Sequence, residues 1–242
     1  MPIEQILILF LFNILGLYFI VMNSIYISVS ILVISCQLSS MDLNAGSFSM
    51  TRLQYSGGGD WYADPSSIPN LLDFVSNYTN IEINNNENRA KIGSDEFYDS
   101  YYLYLTGHGN IKFSDTEAHI LRNFLLDGGF LHADDNYGLD KSFRREMKKV
   151  FPDKEWVEIP SSHPIFTIYY QFENGLPKIH EHDGKRPQAF ALFDKDRIIA
   201  IYTYESDLGD GWEDASVHGN TESKRQEALK MGANIIIYSL LR

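Results

Sequence analysis

Residues 128–138 constrain the fold more than any other stretch, because they read Gly-Gly-Phe-Leu-His-Ala-Asp-Asp-Asn-Tyr-Gly. An apolar run that follows two glycines and leads into two aspartates is typical of a buried strand whose carboxyl end opens into a polar turn. In open α/β sheets, ligands bind beside such strand ends. Asp134 and Asp135 are therefore candidate site residues. The alternative is that they solvate the strand end and cap the next helix.

Residues 101–106 form a second apolar segment, and a strand that is hydrophobic throughout is typical of a parallel sheet buried on both faces. The segment leads into Gly107, His108 and Gly109, where the glycines free the backbone and expose the imidazole ring. A histidine satisfied by a nearby carbonyl is the alternative. Amphipathic helices separate these apolar segments. The alternation predicts a three-layer α/β domain with a mostly parallel sheet.

Local signals place the ends of several elements. Ser67 is predicted to cap a first helix, and a capping box begins a second helix at Ser114. Residues 188–193 and 197–203 flank a short polar turn and are typical of a hairpin. The acidic and glycine-rich residues 204–214 follow this hairpin. We interpret them as a lid or rim.

The functional site is expected where the strand ends meet. Because the carboxyl ends of parallel strands lie along one edge of a sheet, His108 and Asp134 or Asp135 should share a cleft with residues from other strand ends. The candidate ligand-binding residues are Asp60, Trp61, Tyr62, His132, Arg144, Asp210, Trp212 and Glu213. Acids that are crowded in a partly dry cleft raise each other's pKa, and Arg144 would offset that rise.

His180 and His182 stand two residues apart, next to Glu181 and Asp183. In a strand the two rings would share a face, but the spacing differs from that of helical zinc motifs such as H-E-x-x-H. The pattern specifies neither a ligand geometry nor a preferred metal. The sequence therefore predicts no metal site and no particular cofactor.

Residues 1–40 carry a single charged side chain, Glu4, and an almost continuous apolar run over residues 6–34. Such a run predicts a signal peptide or a membrane anchor, and a wrongly assigned start codon is the alternative. A start at Met22 would give a short leader that ends at Cys36 and resembles the lipobox of bacterial lipoproteins. We expect residues 47–242 to form a single domain of the cell envelope, exported to the periplasmic side or anchored to the membrane.

Charge and cysteine content exclude several functions. The formal net charge is −12, so nucleic acid is not an expected partner. Cys36 is the only cysteine of the sequence and lies in the leader. The domain therefore has no internal disulfide, no cysteine-ligated zinc and no thiol nucleophile.

Several motifs, taken in order, resemble those of a bacterial family, domain-of-unknown-function family 4159, which is a branch of the class I glutamine-amidotransferase-like fold. The resemblance spans residues 52–240. It rests on Gly57-Gly58-Gly59-Asp60-Trp61-Tyr62, Leu105-Thr106-Gly107-His108-Gly109, residues 128–135, Arg144-Arg145-Glu146, His163-Pro164-Ile165 and residues 207–213. It implies an exported or membrane-associated protein of that fold, with a flavodoxin-like sheet.

The same resemblance also marks a departure. In true amidotransferases the corresponding strand leads into a G-x-C-x-G nucleophile turn, whereas this chain has His132, Ala133, Asp134 and Asp135 there. Glutamine hydrolysis by a thiolate is therefore excluded. Related trehalose-utilisation-like proteins also lack the cysteine, and this likeness implies carbohydrate as a ligand class. The aromatic residues that would suit stacking on a sugar are Trp61, Tyr62 and Trp212.

Two functions of different classes remain open. The first is a module that binds a small polar ligand, such as a glycan, in a cleft at the carboxyl ends of the strands. The second is a hydrolase-like enzyme that uses Asp134 or Asp135 with His108 as nucleophile or general acid/base.

Overall fold

The computed structural model describes residues 46–241. The predicted leader, with Glu4, Met22 and Cys36, lies outside the described residues. Residues Ser47–Arg242 form one compact unit. In this described part of the chain, no helix combines the length and the apolar character that a membrane crossing requires.

One seven-stranded sheet forms the centre of the domain. Its strands are β1 (Met50–Gln54), β2 (Asn88–Lys91), β3 (Tyr102–Leu105), β4 (Phe130–Asp134), β5 (Val157–Glu158), β6 (Gln188–Asp194) and β7 (Arg197–Tyr204). The order across the sheet is β2-β1-β3-β4-β7-β6-β5. The first five strands in this order, β2, β1, β3, β4 and β7, pair in parallel with their neighbours. Strand β6 is antiparallel to both β7 and β5. The prediction of a mostly parallel α/β sheet is confirmed.

Helices cover both faces of the sheet. They are α1 (Ser67–Tyr78), α2 (Asp115–Leu126), α3 (Asp140–Val150), α4 (Leu208–Trp212), α5 (Ala215–His218) and α6 (Glu222–Leu240). Tyr102 and Tyr104 of β3 pack in one core with α1 and α6, whereas Leu103 and Leu105 pack in a second core with α2 and α3. Successive side chains of a strand point to opposite faces, and all four of these are fully buried. This is why β3 is apolar throughout.

The predicted capping box at Ser114 is confirmed: its side chain accepts from the N–H of Glu117, whose own side chain accepts from the N–H of Ser114. The prediction that Ser67 caps α1 is wrong. Ser67 is the first residue of the helix, and its buried hydroxyl donates to the carbonyl of Asp64 at 2.7 Å. The residue before it, Ser66, donates its hydroxyl to Glu213 at 3.0 Å.

Residues 204–214, which the sequence suggests as a lid or rim, do not form an exposed lid. Most of this segment is buried, and residues 208–212 are the short helix α4. Its glycines allow close packing: a Cβ at Gly211 would lie 2.3 Å from the Cβ of Ala228, and a Cβ at Gly209 would lie 2.9 Å from Oδ2 of Asp64. The glycines therefore allow the segment to lie in close contact with α6 and with the ends of the strands.

Candidate functional site

Asn136 joins the carboxyl ends of four strands. Its Oδ1 accepts hydrogen bonds from the hydroxyl of Thr106 and from the N–H of Gly107, both just beyond β3. Its Nδ2 donates to Asp64, from the segment between β1 and α1, and to Asp207, beyond β7, at 3.3 Å each. Asn136 itself follows β4 and is fully buried. This single amide thus fixes the polar ends of β1, β3, β4 and β7 against one another.

Asp134 is the last residue of β4 and is fully buried. Its carboxylate accepts from the N–H of Gly209 at 2.6 Å, from the hydroxyl of Tyr104 at 3.3 Å and from the hydroxyl of Thr203. Burial, and then the nearby charge of Asp207, raise its pKa to about 7. Asp134 therefore anchors the start of α4 to the sheet.

Asp135 lies in the wall of a cavity. Its Oδ1 accepts from the hydroxyl of Tyr202 and its Oδ2 from the N–H of Glu205, both at 2.8 Å. Burial raises its pKa to about 6, although these two hydrogen bonds act in the opposite direction. The cavity wall therefore holds a carboxyl group whose pKa is raised.

The cavity lies beside the ends of β4 and β7 and has a volume of about 320 Å³. Its lining residues are Asp135, Tyr137, Gly138, Asp140, Lys141, His182, Asp183, Lys185, Tyr204 and Glu205. The Tyr137 side chain is 61% exposed. Lys185 donates to the hydroxyl of Tyr204 at 3.0 Å. The wall thus offers ammonium donors, carboxylate acceptors and two phenol rings.

Three histidines and three aspartates form a group that reaches the cavity through His182. We call them the histidine cluster: His180, His182, His218, Asp64, Asp207 and Asp210. His182 Nε2 lies 2.8 Å from Oδ2 of Asp207, and His180 Nδ1 lies 3.6 Å from the same oxygen. Asp210 Oδ2 lies 2.7 Å from His180 Nδ1 and 3.3 Å from His218 Nδ1. Asp210 therefore connects two groups of ionisable side chains.

Charges within the histidine cluster shift its pKa values in opposite directions. Burial, and then the charge of Asp207, raise the pKa of Asp64 to about 6 and that of Asp210 to about 8. Burial also acts to raise the pKa of Asp207, but its interactions with His180 and His182 outweigh burial and lower that pKa. The interaction with Asp207 raises the pKa of His180. For His182, burial acts to lower the pKa, but its hydrogen bond to Asp207 raises it on balance. Asp207 is therefore the aspartate of the cluster whose pKa is lowered.

Backbone contacts hold the histidines in place. The N–H groups of Ile179 and His180 both donate to the carbonyl of Ser206, at 3.0 and 3.3 Å. The hydroxyl of Ser206 donates to the carbonyl of Pro177 at 2.6 Å. Asp207 adopts a left-handed conformation with φ of 59°, which is uncommon for a residue other than glycine. The loop that carries His180 is thereby fixed beside the end of β7.

The structure brings some predicted site residues together and keeps others apart. His108 lies against Asp60, whose carboxylate accepts from the N–H of His108 and lies 3.2 Å from its Nδ1. No hydrogen bond or ion pair among residues 46–241 joins His108 to Asp134 or Asp135. The two aspartates instead accept from backbone amides. The pairing of His108 with either aspartate stays a prediction.

Two predicted ligand-binding residues need correction, because they are core residues. Trp212 is fully buried, and its indole N–H donates to the carbonyl of Ala228 at 2.8 Å. His132 is fully buried between the hydroxyls of Tyr102 and Thr203, at 3.1 Å from each. Burial lowers the pKa of His132 to about 3. Neither ring presents a surface to a ligand.

The remaining candidates lie at the surface or support it. Trp61 and Tyr62 pack edge to face at 5.5 Å, and the Tyr62 side chain is 61% exposed. Arg144 donates to Asp140 at 2.6 Å. Its guanidinium also lies 4.7 to 5.5 Å from the ring centroids of Phe190, Tyr202 and Tyr204. Arg144 therefore contacts two residues of the cavity wall, Asp140 and Tyr204.

Glu213 contacts α1 and α5. It accepts from the N–H of Ser66 and lies 3.1 Å from Nε2 of His218. Glu213 is buried. It therefore lies at the edge of the histidine cluster and not in the cavity wall.

Two sets of side chains have donor atoms that lie close enough together to hold a metal ion. One is His180, His182 and Asp207, and the other is Asp64, Asp210 and His218; within each set the donor atoms lie within 4.8 Å of one another. Carboxylates and imidazoles of this kind are ligands for divalent metals.

Sequence reasoning missed Asp64, Asn136 and His218, and it did not assign a site to His182 or Asp207. His182 and Asp207 are separated by a full hairpin, so no short motif contains both. The sequence nonetheless contains a signal for three of them. Asp64, Asn136 and Asp207 each follow a predicted strand, and each lies within a few residues of a candidate site residue.

A comparison with curated proteins found no match. Residues 49–240 match the model of a family described as a domain of unknown function (DUF4159). The matched range begins just before β1 and ends with α6, so it contains the sheet, the cavity and the histidine cluster. The chain therefore belongs to the DUF4159 family.

Proposed function

We propose that this domain binds a small polyhydroxylated ligand, such as a monosaccharide or disaccharide unit of a glycan, in the cavity at the ends of β4 and β7. The cavity itself carries the proposal. Its volume of about 320 Å³ is at the small end of the range of ligand pockets. A small, open and polar cavity suits a small and polar molecule.

The side chains of the wall support this ligand class. Asp135, Asp140 and Glu205 offer carboxylate oxygens to hydroxyl groups, while Lys141 and Lys185 offer ammonium donors. Carboxylates and donors placed around one volume can pair with several hydroxyls of a single ring.

An aromatic ring at the rim supports the same class. Tyr137 is largely exposed and lines the cavity, and its ring contacts His182 edge to face at 6.1 Å between centroids. A flat apolar face beside polar groups suits a sugar, which has both kinds of surface. Tyr137 takes the stacking role that the sequence assigned to Trp61, Tyr62 and Trp212.

We extend the proposal to the class of fold and to the location. The parallel order β2-β1-β3-β4-β7 with helices on both faces is consistent with a flavodoxin-like sheet of the glutamine-amidotransferase-like type. The apolar residues 6–34 support export or attachment to the cell envelope. A glycan ligand would suit that location.

A hydrolase-like activity of the same cavity is the second candidate. It is favoured by one observation: Asp135, whose pKa is raised to about 6 by burial, lines the cavity together with His182. A carboxyl group that titrates near neutral pH can act as a general acid or base. In this version His182 takes the part that the sequence assigned to His108.

A thermal-shift screen of the full chain against monosaccharides and disaccharides tests the binding proposal. At least one sugar should raise the melting temperature in proportion to the logarithm of its concentration. Tyr137→Ala should remove the shift. Tyr62→Ala is the matched control, because both tyrosines are 61% exposed and only Tyr137 lines the cavity.

Two outcomes would contradict the proposal. One is the lack of any shift with every sugar tested. The other is a shift that survives Tyr137→Ala and is lost in Tyr62→Ala, because the ligand would then lie beside Asp60 and His108. Release of product from chromogenic glycosides by the wild type, lost in Asp135→Asn, would favour the hydrolase instead.

A further inference from the structure

We propose that His180, His182 and Asp207 form a binding site for one divalent transition-metal ion of the zinc type. This goes beyond the proposed ligand binding and does not depend on it. The three residues come from a loop between β5 and β6 and from the turn after β7, and they carry two imidazoles and one carboxylate.

The distances between the donor atoms suit one ion. One donor atom from each of His180, His182 and Asp207 lies within 4.8 Å of the other two. The pairs with Asp207 measure 3.6 Å for His180 and 2.8 Å for His182. In a tetrahedral zinc site with bonds of about 2.0–2.2 Å, neighbouring donors lie roughly 3.4 Å apart. Small side-chain adjustments would bring all three into that arrangement.

The surroundings of the three donors resemble those of an ordinary metal site. Oδ1 of Asp207 accepts from Nδ2 of Asn136 at 3.3 Å, which leaves Oδ2 turned toward both histidines. The loop before His180 is held to the carbonyl of Ser206 by two backbone hydrogen bonds. Metal-binding carboxylates are usually oriented by such outer partners.

The set of ligands selects a class of metal. Two imidazoles favour zinc, copper, iron or nickel over magnesium and calcium, which prefer oxygen ligands. Three protein donors also match catalytic zinc sites, which keep a position open for water or substrate. His182 lines the cavity, so an ion held here would lie beside the proposed ligand.

A second set, Asp64, Asp210 and His218, is the competing location. It has only one imidazole, that of His218. It also shares Asp210 with His180. The larger number of imidazoles leads us to assign the ion to His180, His182 and Asp207.

Calorimetric titration of the full chain, first stripped of metal with a chelator, tests the assignment. Zn²⁺ should bind at one ion per chain, and Mg²⁺ and Ca²⁺ should not compete. Co²⁺ bound in place of Zn²⁺ should give the visible absorption of a tetrahedral site. His182→Gln and Asp207→Asn should each weaken Zn²⁺ binding at least about 100-fold, since loss of an outer-shell partner alone costs about 10–100-fold.

The controls separate this site from others. His119→Gln changes an exposed histidine of α2 whose ring contacts only Asn123 among the described hydrogen bonds, and it should leave affinity unchanged. His218→Gln tests the competing set and should keep at least one Zn²⁺ bound. Circular dichroism reports whether each variant is folded. If His182→Gln or Asp207→Asn does not fold, His180→Gln replaces it, because the His180 side chain is half-exposed.

Three results would overturn the proposal. The first is a wild type that binds no Zn²⁺ at millimolar concentration. The second is wild-type affinity in folded His182→Gln and His180→Gln. The third is loss of all binding in His218→Gln together with unchanged binding in His182→Gln, which would place the ion in the competing set.

Discussion

Tyr202 donates its hydroxyl hydrogen to Oδ1 of Asp135 at 2.8 Å, and this bond joins strand β7 to the residue that follows strand β4. The two strands are parallel neighbours, with Ala133 opposite Tyr202. The N–H of Glu205 holds the other carboxylate oxygen. Asp135 is therefore fixed by β7 while it lines the cavity, and its position depends on the register of the two central strands.

The first prediction concerns Asn136. Asn136→Ala should lower the free energy of unfolding by about 2–4 kcal/mol, because it leaves several buried polar partners unpaired. Chemical denaturation of the full chain measures the loss. Asn86→Ala, at an exposed asparagine, is the control and should change stability by less than about 0.5 kcal/mol. Equal effects of the two substitutions would show that Asn136 does not tie the strand ends together.

The second prediction concerns packing between α4 and α6. Gly211→Ala should destabilise the domain by about 1–3 kcal/mol, because the new Cβ would lie 2.3 Å from the Cβ of Ala228. Gly46→Ala is the control, since a Cβ there meets nothing within 4 Å. Thermal unfolding of the two variants checks the prediction, and a Gly211→Ala protein as stable as the wild type would refute the buried position of α4.

The third prediction concerns pH. The pKa of Asp134 is raised to about 7 by burial, so between its unfolded value near 4 and pH 7 the folded state binds more protons than the unfolded state does. Stability without metal should therefore be highest below pH 4 as far as Asp134 contributes, and this contribution should be lost as the pH rises toward 7. Raised values for Asp64, Asp135 and Asp210 act in the same direction.

Asp134→Asn tests this sign directly. The amide oxygen can still accept from the N–H of Gly209, and the amide nitrogen can donate to the hydroxyl of Thr203, so the packing is kept. The variant should be more stable than the wild type by about 1–3 kcal/mol at pH 8 and about equal to it at pH 4. Melting curves across this range measure the difference. A difference that grows as the pH falls would have the opposite sign and would contradict the raised pKa.

The sheet could be predicted from the sequence because its central strands are mostly apolar. Residues 101–106 and 130–133 have no polar alternation, and strands buried on both faces need none. Strand β2 (Asn88–Lys91) was not predicted. It is an edge strand of polar sequence, and its pairing with β1 gives no periodic signal.

The site was harder to predict because residues of the same turn differ in burial and therefore contact different partners. The sequence identifies Asp60, Asp134 and Asp210, but burial decides which neighbours meet. Asp60 turns to the exposed His108, whereas Asp64, four residues later, reaches Asn136. The glycines around Trp212 predict an exposed loop with a surface aromatic residue. In the structure they allow α4 to pack closely against α6, and Trp212 is buried.

The central claim is that ligands bind at the cavity wall formed by Asp135, and a comparison of Asp135→Asn with His108→Ala tests it most directly. The measurement is the thermal shift produced by the sugar that stabilises the wild type most. We predict that Asp135→Asn removes the shift while the unliganded protein stays folded and is at least as stable at pH 8, and that His108→Ala keeps the shift. A shift that persists in Asp135→Asn and disappears in His108→Ala would contradict the account.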